Sequence, residues 1–187
     1  EGSNKHVSLE NLVIIQYADE EAIAVYDEVQ NLRIVNNYIN KHAGLQAAIE
    51  IRCVHYRTRS IIIAHNVIED AGDAGVSLYN IREAIISDNI IKGCRGPGIR
   101  IASEELTSGG LTYAYDFCAC GNVITGCRIG VMIVGLDFWV QSGVIEGNVI
   151  RLTTQHGISV SGGYCRFLNI MGNTILDIPK DYAGIYL

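Results

Sequence analysis

The sequence predicts an all-β fold in which one short unit repeats and stacks along a single axis. A tripeptide of Asn, any residue and Ile recurs six times, starting at residues 37, 66, 89, 122, 148 and 173. Each copy is followed by a small residue and an apolar-x-apolar segment, such as Gly98-Ile99-Arg100-Ile101. A repeat of 23 to 33 residues through the chain indicates a solenoid, in which each unit packs only against its neighbours.

Three short apolar segments make up each repeat. One precedes the Asn, as in Ile61-Ile62-Ile63, the second starts at the Asn, and the third is the segment after the small residue. Their period of two and their β-branched residues predict strands, and no helical spacing supports helix-pair or leucine-rich repeats. Leu12 takes the Asn position in an earlier copy. We therefore predict a single domain over residues 1–187, with about six to seven coils of three strands each.

Composition and charge exclude several classes of function. Aliphatic residues dominate the 49% hydrophobic content, since aromatic residues are only 7%, which fits an interior of stacked Ile, Val and Leu. The net charge of −6 and the lack of a basic stripe argue against a nucleic-acid partner. No apolar run approaches the ~20 residues of a membrane span, so no membrane partner is predicted.

The recurring asparagines are predicted to be structural. Stacked at one corner of successive coils, their amides can hydrogen-bond to the Asn above and below. We expect the Asn to adopt unusual backbone angles there, and the Ile two residues later to point into the core. The Gly residues before Ile99, Val131 and Ile158 are interpreted as corner residues and not as a phosphate loop, because no helix follows them.

The cysteines leave alternatives open. Cys94 and Cys127 each lie five residues after an Asn, so they should stack about 4.8 Å apart in neighbouring coils. Both a ladder of buried thiols and a disulfide fit that placement. Cys118 and Cys120 share one face of a strand, but no pair of His residues lies near them in sequence, and no metal site is predicted.

The Asn-x-Ile and Gly-Ile-x-Ile rhythm, from about Val7 to Leu187, resembles the right-handed parallel β-helix of the pectate-lyase-like superfamily. Members are polysaccharide lyases, glycoside hydrolases, epimerases and phage tailspike depolymerases, so the resemblance implies a polysaccharide partner. It also implies an extracellular, cell-surface or virion-surface location. No cofactor is expected, except the Ca²⁺ that the resemblance to lyases allows. The motif specifies the fold and says little about chemistry.

The outward positions of the third strand in each repeat are the family's usual binding face. Glu50, Ser77 and Arg100 form one column there, with Glu50 and Arg100 about 10 Å apart by strand spacing. We predict Glu50 and Arg100 as catalytic residues, and Arg52 and Tyr79 as substrate-binding residues on the same face.

Aromatic residues in the turns after this strand are predicted to form a binding rim. The longest repeat places its insertion here, at residues 104–116, and long loops on one edge of a solenoid often bind ligands. Aromatic rings pack against the apolar faces of sugars. Tyr113, Tyr115 and Trp139 are therefore predicted to contact substrate.

Two hypotheses remain from different classes. The first is an enzyme that acts on an extended polysaccharide as a lyase or hydrolase. Against it, hydrolysis needs paired carboxylates, and Glu50 is the only acid on the outward positions, while Asp70 and Asp73 are interpreted as ordinary turn residues. The second is a non-catalytic glycan-binding or structural module of an adhesin or tailspike. At least two carboxylates, or an Arg beside a carboxylate-bound cation, within one groove would favour the enzyme, and a flat outer face with scattered charges would favour the module.

The ends of the sequence show no amphipathic cap segment. Exposed coil ends invite association through unpaired strand edges. We therefore expect either a fragment of a longer β-helix or self-association through the coil ends.

Overall fold

Short parallel strands form the whole of the described fold. The computed structural model describes residues 6–26, 29–42, 44–53, 59–104, 113–135 and 139–187. Within these segments the chain forms strands and turns with no helix, so nothing there is long and apolar enough to cross a membrane as a helix. The prediction of an all-β fold is confirmed.

The strands assemble into three seven-stranded sheets. The first sheet contains β1 (Val7–Glu10), β4 (Leu32–Val35), β7 (Arg59–Ala64), β10 (Arg82–Ser87), β13 (Ala114–Cys120), β16 (Val140–Glu146) and β19 (Cys165–Met171). The second contains β2 (Val13–Gln16), β5 (Tyr38–Lys41), β8 (Val67–Glu69), β11 (Ile90–Lys92), β14 (Val123–Thr125), β17 (Val149–Arg151) and β20 (Thr174–Leu176). The third contains β3 (Ile23–Tyr26), β6 (Ile49–Arg52), β9 (Val76–Tyr79), β12 (Pro97–Ser103), β15 (Ile129–Gly135), β18 (Ile158–Ser161) and β21 (Ile185–Tyr186).

The sheets stack each repeat directly on the one before it. Every strand pairs in parallel with the equivalent strand of the next repeat, so the chain visits the three sheets in turn and closes one coil every three strands. In the second sheet Ile68 pairs with Ile91 and Ile91 with Ile124. The same interior position therefore carries Ile through successive coils, as the sequence predicts.

The core is one continuous aliphatic column. The inward residues Ile39, Ile68, Ile91, Ile124 and Ile150 are all fully buried. Burying each such side chain contributes about 1.5–3 kcal/mol relative to leaving it exposed. Since the interior is filled by these side chains, ligands have access only to the outer faces and turns.

A ladder of asparagines fixes the corner between the first and second sheets. The Nδ2 of Asn66 donates to the Oδ1 of Asn89 at 3.0 Å, and that same oxygen accepts the backbone N–H of Asn66 at 3.0 Å. Asn66 Nδ2 also donates to the carbonyl of Ile34 at 2.8 Å. Equivalent bonds link Asn37, Asn66, Asn89, Asn122, Asn148 and Asn173. The predicted ladder is confirmed.

The sharp backbone bend lies one residue earlier than expected. The residue before each ladder Asn has a positive φ, for example 57° at Asn36, 56° at His65 and 66° at Gly121. The interpretation that the ladder Asn itself adopts the unusual angles is wrong. Because the preceding residue takes the left-handed conformation, the ladder Asn begins its strand with its amide directed along the stack.

The small residues before the third sheet are required by close packing. A Cβ at Gly98 would lie 2.5 Å from Ile124 Cγ2 and 2.9 Å from the carbonyl oxygen of Gly130. Those distances are shorter than van der Waals contact, so any larger residue would push neighbouring coils apart. The structure supports the interpretation of these glycines as corner residues.

The six cysteines are free thiols in this structure. Cys94 and Cys127 are both buried, as expected for a stacked pair facing the core. Their mutual hydrogen bond and burial raise the pKa of Cys94 well above its ordinary value. Of the two predicted arrangements, a ladder of buried thiols and a disulfide, the structure has the ladder of buried thiols.

Loss of one ladder amide should destabilise the fold. The side chain of Asn122 accepts from Asn89 and donates to Asn148 and to the carbonyl of Ile86. Asn122→Ala leaves these buried groups without partners, and we expect it to lower the free energy of unfolding by about 3 kcal/mol. Urea denaturation measures the change. Asn169→Ala, on an exposed Asn of β19, is the control and should change stability by no more than about 0.5 kcal/mol; equal effects of the two variants would contradict the ladder's role.

Candidate functional site

Six charged and aromatic side chains meet on the outer face of the third sheet, and we call them the charged network: Glu50, Arg52, Asp73, Tyr79, Arg100 and Glu104. The strand register produces this meeting. Glu50 pairs with Ser77 and Ser77 with Arg100, while Arg52 pairs with Tyr79 in the next column. Residues about a coil apart in sequence therefore become neighbours, as the repeat predicts.

Arg52 is held by two carboxylates and one ring. Its Nε donates to Glu50 Oε1 at 3.2 Å, and its Nη1 donates to Glu104 Oε1. Its guanidinium carbon lies 4.3 Å from the centre of the Tyr79 ring, a cation–π contact. Burial lowers the pKa of Arg52, but Glu104 and Glu50 outweigh that effect and the net shift is upward. The guanidinium is thus oriented by contacts on its edge and on its face.

Arg100 forms a two-pronged ion pair with Asp73. Its Nη1 and Nη2 donate to the two carboxylate oxygens of Asp73 at 2.6 and 2.9 Å, and Nη1 also donates to the Tyr79 hydroxyl at 3.0 Å. The interpretation of Asp73 as an ordinary turn residue is therefore wrong. Asp73 lies in the corner before β9, one coil before Arg100, and the length of the Arg side chain spans that gap.

Glu50 is the most buried acid of the charged network. Its side chain is only 8% exposed, and burial raises its pKa, with Arg52 opposing the rise and Glu21 adding to it. The hydroxyl of Tyr26 approaches Glu50 Oε1 at 3.5 Å. Because burial favours the protonated form, the Glu50 carboxyl keeps its proton to a higher pH than an ordinary glutamic acid does.

Tyr79 supports the arginines and does not offer an open ring. It is 9% exposed, with Arg52 over its ring and Arg100 on its hydroxyl. Ser77, in the column between Glu50 and Arg100, is fully buried, and its Oγ has no hydrogen-bond partner among the described residues. The network is thus tightly packed around Tyr79.

The predicted rim aromatics lie apart from the charged network. Tyr115 stacks under Arg82 at 4.7 Å on the first sheet. Trp139 lies before β16, with the Arg166 guanidinium 3.9 Å above its ring and Tyr164 edge-on at 5.3 Å. Tyr113 immediately precedes β13 and is partly buried. Among the described contacts, none joins these rings to the network, so the predicted site residues separate into two groups.

The repeat pattern does not predict a groove that lies on the first sheet. It encloses about 570 Å³, with Ile62, Ile85 and Cys118 among its lining residues and Glu83 and Asp116 beside them. Glu83 and Asp116 occupy equivalent positions of neighbouring strands, and both have a φ of 55°. Because both residues take the left-handed conformation, the two strands bend in the same way. The apolar outward residues Ile62 and Ile85 were the signal in the sequence.

A comparison with protein families gives one match. The sequence profile of the family described as "Right handed beta helix region" matches residues 1–113, more than half of the chain. The chain belongs to the right-handed β-helix family. Comparison with curated proteins and with solved structures gives no match. Family and fold thus agree with the predicted resemblance to right-handed parallel β-helices.

Calcium finds no fitting set of donors among the described residues. The described residues contain no group of three or more Asp, Glu, His or Cys side chains that could hold a metal ion. The carboxylates of Glu50, Asp73 and Glu104 each face an arginine, so they are already engaged by positive charge. We derive no calcium-dependent step for this β-helix.

Seven polar or aromatic residues that follow the third apolar segment of a repeat in sequence lie outside the described residues. They are Asp27, Glu28, His55, Tyr56, Glu105, Asp137 and Phe138. Of the acids at the two ends of the insertion at residues 104–116, Glu104 joins the charged network and Asp116 lines the groove on the first sheet.

The raised pKa of Glu50 predicts a pH dependence of stability with a definite sign. A carboxyl whose folded pKa exceeds its ordinary value of 4.5 stabilises the fold below pH 4.5, and that contribution is lost as pH rises through the folded pKa. We therefore compare the free energy of unfolding of the wild type with that of Glu50→Gln. The difference, wild type minus variant, should decrease as pH rises above 4.5. Denaturation with urea at several pH values measures this difference.

Glu69→Gln is the matched comparison for the pH experiment. Hydrogen bonds from Tyr38 and Lys92 lower the pKa of Glu69 below 4.5, so its stabilising contribution is present above pH 4.5 and lost as pH falls. The two variants should deviate from the wild type in opposite directions along the pH axis. A pH trend of the same sign in both variants would rule out our account of Glu50.

Proposed function

We propose that this β-helix protein acts on an extended polysaccharide at the outer face of its third sheet, as a hydrolase. The supporting observation is that Glu50 and Glu104 lie on opposite sides of one guanidinium, that of Arg52. Two carboxylates in one place are what glycoside hydrolysis needs, and the family is consistent with carbohydrate-active proteins.

The accessible parts of the charged network suit sugar hydroxyls. Side chains of Arg52 and Asp73 remain 34% and 30% exposed, and those of Glu104 and Arg100 are 23% and 19% exposed. Guanidiniums donate hydrogen bonds and carboxylates accept them, so the face offers both functions to a hydroxyl-rich chain. The parallel columns of the sheet continue in both directions, which suits an extended ligand.

The proposed reaction assigns one role to each carboxylate. Glu50, whose pKa is raised by burial, donates its proton to the leaving glycosidic oxygen as the bond from the sugar carbon to that oxygen breaks. Glu104 accepts the proton of the attacking water as the new carbon–oxygen bond forms. Arg52, bonded to both acids, holds their relative positions.

A second candidate is non-catalytic glycan binding, as in an adhesin or tailspike module. The observation that favours it is that each carboxylate of the network is bonded to an arginine, an arrangement that is also expected of a rigid recognition surface. Both candidates use the same face and differ only in whether a bond is broken.

Hydrolysis is tested by incubating the protein with neutral and uronate-containing polysaccharides and measuring new reducing ends and unsaturated-product absorbance. We expect reducing ends without unsaturated products. Glu50→Gln should lower the rate by roughly 100-fold or more, because it removes the proton donor. Glu146→Gln, at an exposed outward position of β16, is the matched control and should keep wild-type activity.

The outcomes of this assay separate the candidates. Binding of a polysaccharide without new reducing ends would support the non-catalytic candidate and contradict hydrolysis. Unsaturated products would contradict hydrolysis in favour of elimination. Activity that survives both Glu50→Gln and Glu104→Gln would show that the site lies elsewhere.

Tyr79 provides a test of binding that both candidates share. Tyr79→Ala removes the ring under Arg52 and the hydroxyl on Arg100, and we expect it to weaken polysaccharide binding by roughly tenfold, equivalent to about 1.4 kcal/mol. Tyr79→Phe keeps the ring and should lose less. Affinity electrophoresis in polysaccharide-containing gels measures both, and equal retardation of all three proteins would argue against a binding role for this face.

A further inference from the structure

We infer that the charged network selects an uncharged, hydroxyl-rich polysaccharide and discriminates against polyuronates. The inference rests on the proposed function and names the substrate class of the same site. Its basis is that both arginines of the site, Arg52 and Arg100, already hydrogen-bond to carboxylates of the protein.

Arginine is the side chain that would recognise a uronate carboxylate, by a two-pronged pair of hydrogen bonds. In Arg100 both Nη atoms already bond to Asp73. In Arg52 the Nε bonds to Glu50 and the Nη1 to Glu104. Each guanidinium edge that could form such a pair therefore has at least one of its nitrogens already bonded to a carboxylate of the protein.

The charge of the site adds to this effect. The carboxylates of Asp73 and Glu104 pair with the two guanidiniums, the acidic group of Glu50 lies beside Arg52 as well, and Glu21 acts on Glu50 from the preceding coil. The whole chain carries a net charge of −6. A polyuronate would therefore meet an excess of negative charge, and like-charge contacts across an interface are strongly unfavourable.

A uronate could gain an arginine only by displacing a protein carboxylate. That exchange would leave a partly buried acid, such as Asp73, without its partner, and an acid whose partner is removed at such a position is destabilising. A sugar hydroxyl requires no exchange. It can donate to a lone pair of Asp73 that Arg100 leaves unused, because a carboxylate accepts about four hydrogen bonds.

Gel affinity electrophoresis and isothermal titration with a neutral glucan or galactan and with polygalacturonate test the inference. We expect the wild type to bind a neutral polymer at least roughly tenfold more tightly than polygalacturonate. Asp73→Asn releases Arg100, and it should raise affinity for polygalacturonate by roughly fivefold or more. Glu104→Gln releases one edge of Arg52 and should act in the same direction.

Asp70→Asn is the matched control, because it removes one negative charge from the same corner of the same coil. Asp70 has no described contact with Arg100, so its variant should leave the preference for the neutral polymer unchanged. Thermal unfolding of each variant verifies that the fold is retained.

Each result decides the inference. Binding of polygalacturonate as tight as that of the neutral polymers would overturn it and leave the proposed function standing. A gain of polyuronate affinity in Asp70→Asn equal to that in Asp73→Asn would reduce the effect to net charge and overturn the role of the committed arginines. Binding of no polysaccharide would overturn the proposed function and this inference together.

Discussion

In-register stacking of the coils is the constraint on which the rest of this structure depends. The asparagine ladder enforces it, because each amide bonds both to the next amide and to a backbone carbonyl of the preceding coil. A shift of one residue in any coil would break these bonds and would turn aliphatic side chains outward, since side chains alternate between the two faces of a strand. Packing and hydrogen bonding therefore select the same register.

The same in-register stacking places residues at equivalent positions of successive repeats side by side on the surface. Glu50, Ser77 and Arg100 become adjacent only because β6, β9 and β12 pair without an offset. Side chains of Arg and Glu are longer than the spacing between strands, so they reach across columns and across coils. The charged network is thus a product of long side chains on regular strands, joined by Asp73 and Glu104 from the turns beside the sheet.

The repeat was sufficient to predict the strands, the interior row of Ile, the ladder and the outward columns, because all of these follow from periodicity. The contacts of Asp73 and Glu104 with the arginines could not be predicted in this way. Each lies in a turn beside the sheet, and the direction of a turn side chain depends on φ and ψ values that a repeat does not specify. Arginine also reaches partners one coil away, so the column containing Arg100 did not reveal Asp73 as its partner. For the same reason the sequence placed Tyr115 and Trp139 on a common rim, whereas the structure stacks each under a different arginine.

The outer faces of the first and third sheets differ in a way that favours the third sheet for recognition of a polar polymer. On the first sheet the outward column contains Ile62 and Ile85, and the left-handed residues Glu83 and Asp116 bend the strands into a groove whose lining is mainly apolar. On the third sheet the outward column contains Glu50 and Arg100, whose charges are retained near a packed surface by mutual pairing with Arg52 and Asp73. Ion pairs at partly buried positions contribute little net stability compared with apolar residues of similar size. An apolar column would therefore serve the fold of the third sheet equally well, and the presence of a connected set of donors and acceptors there is better explained by a ligand that needs both.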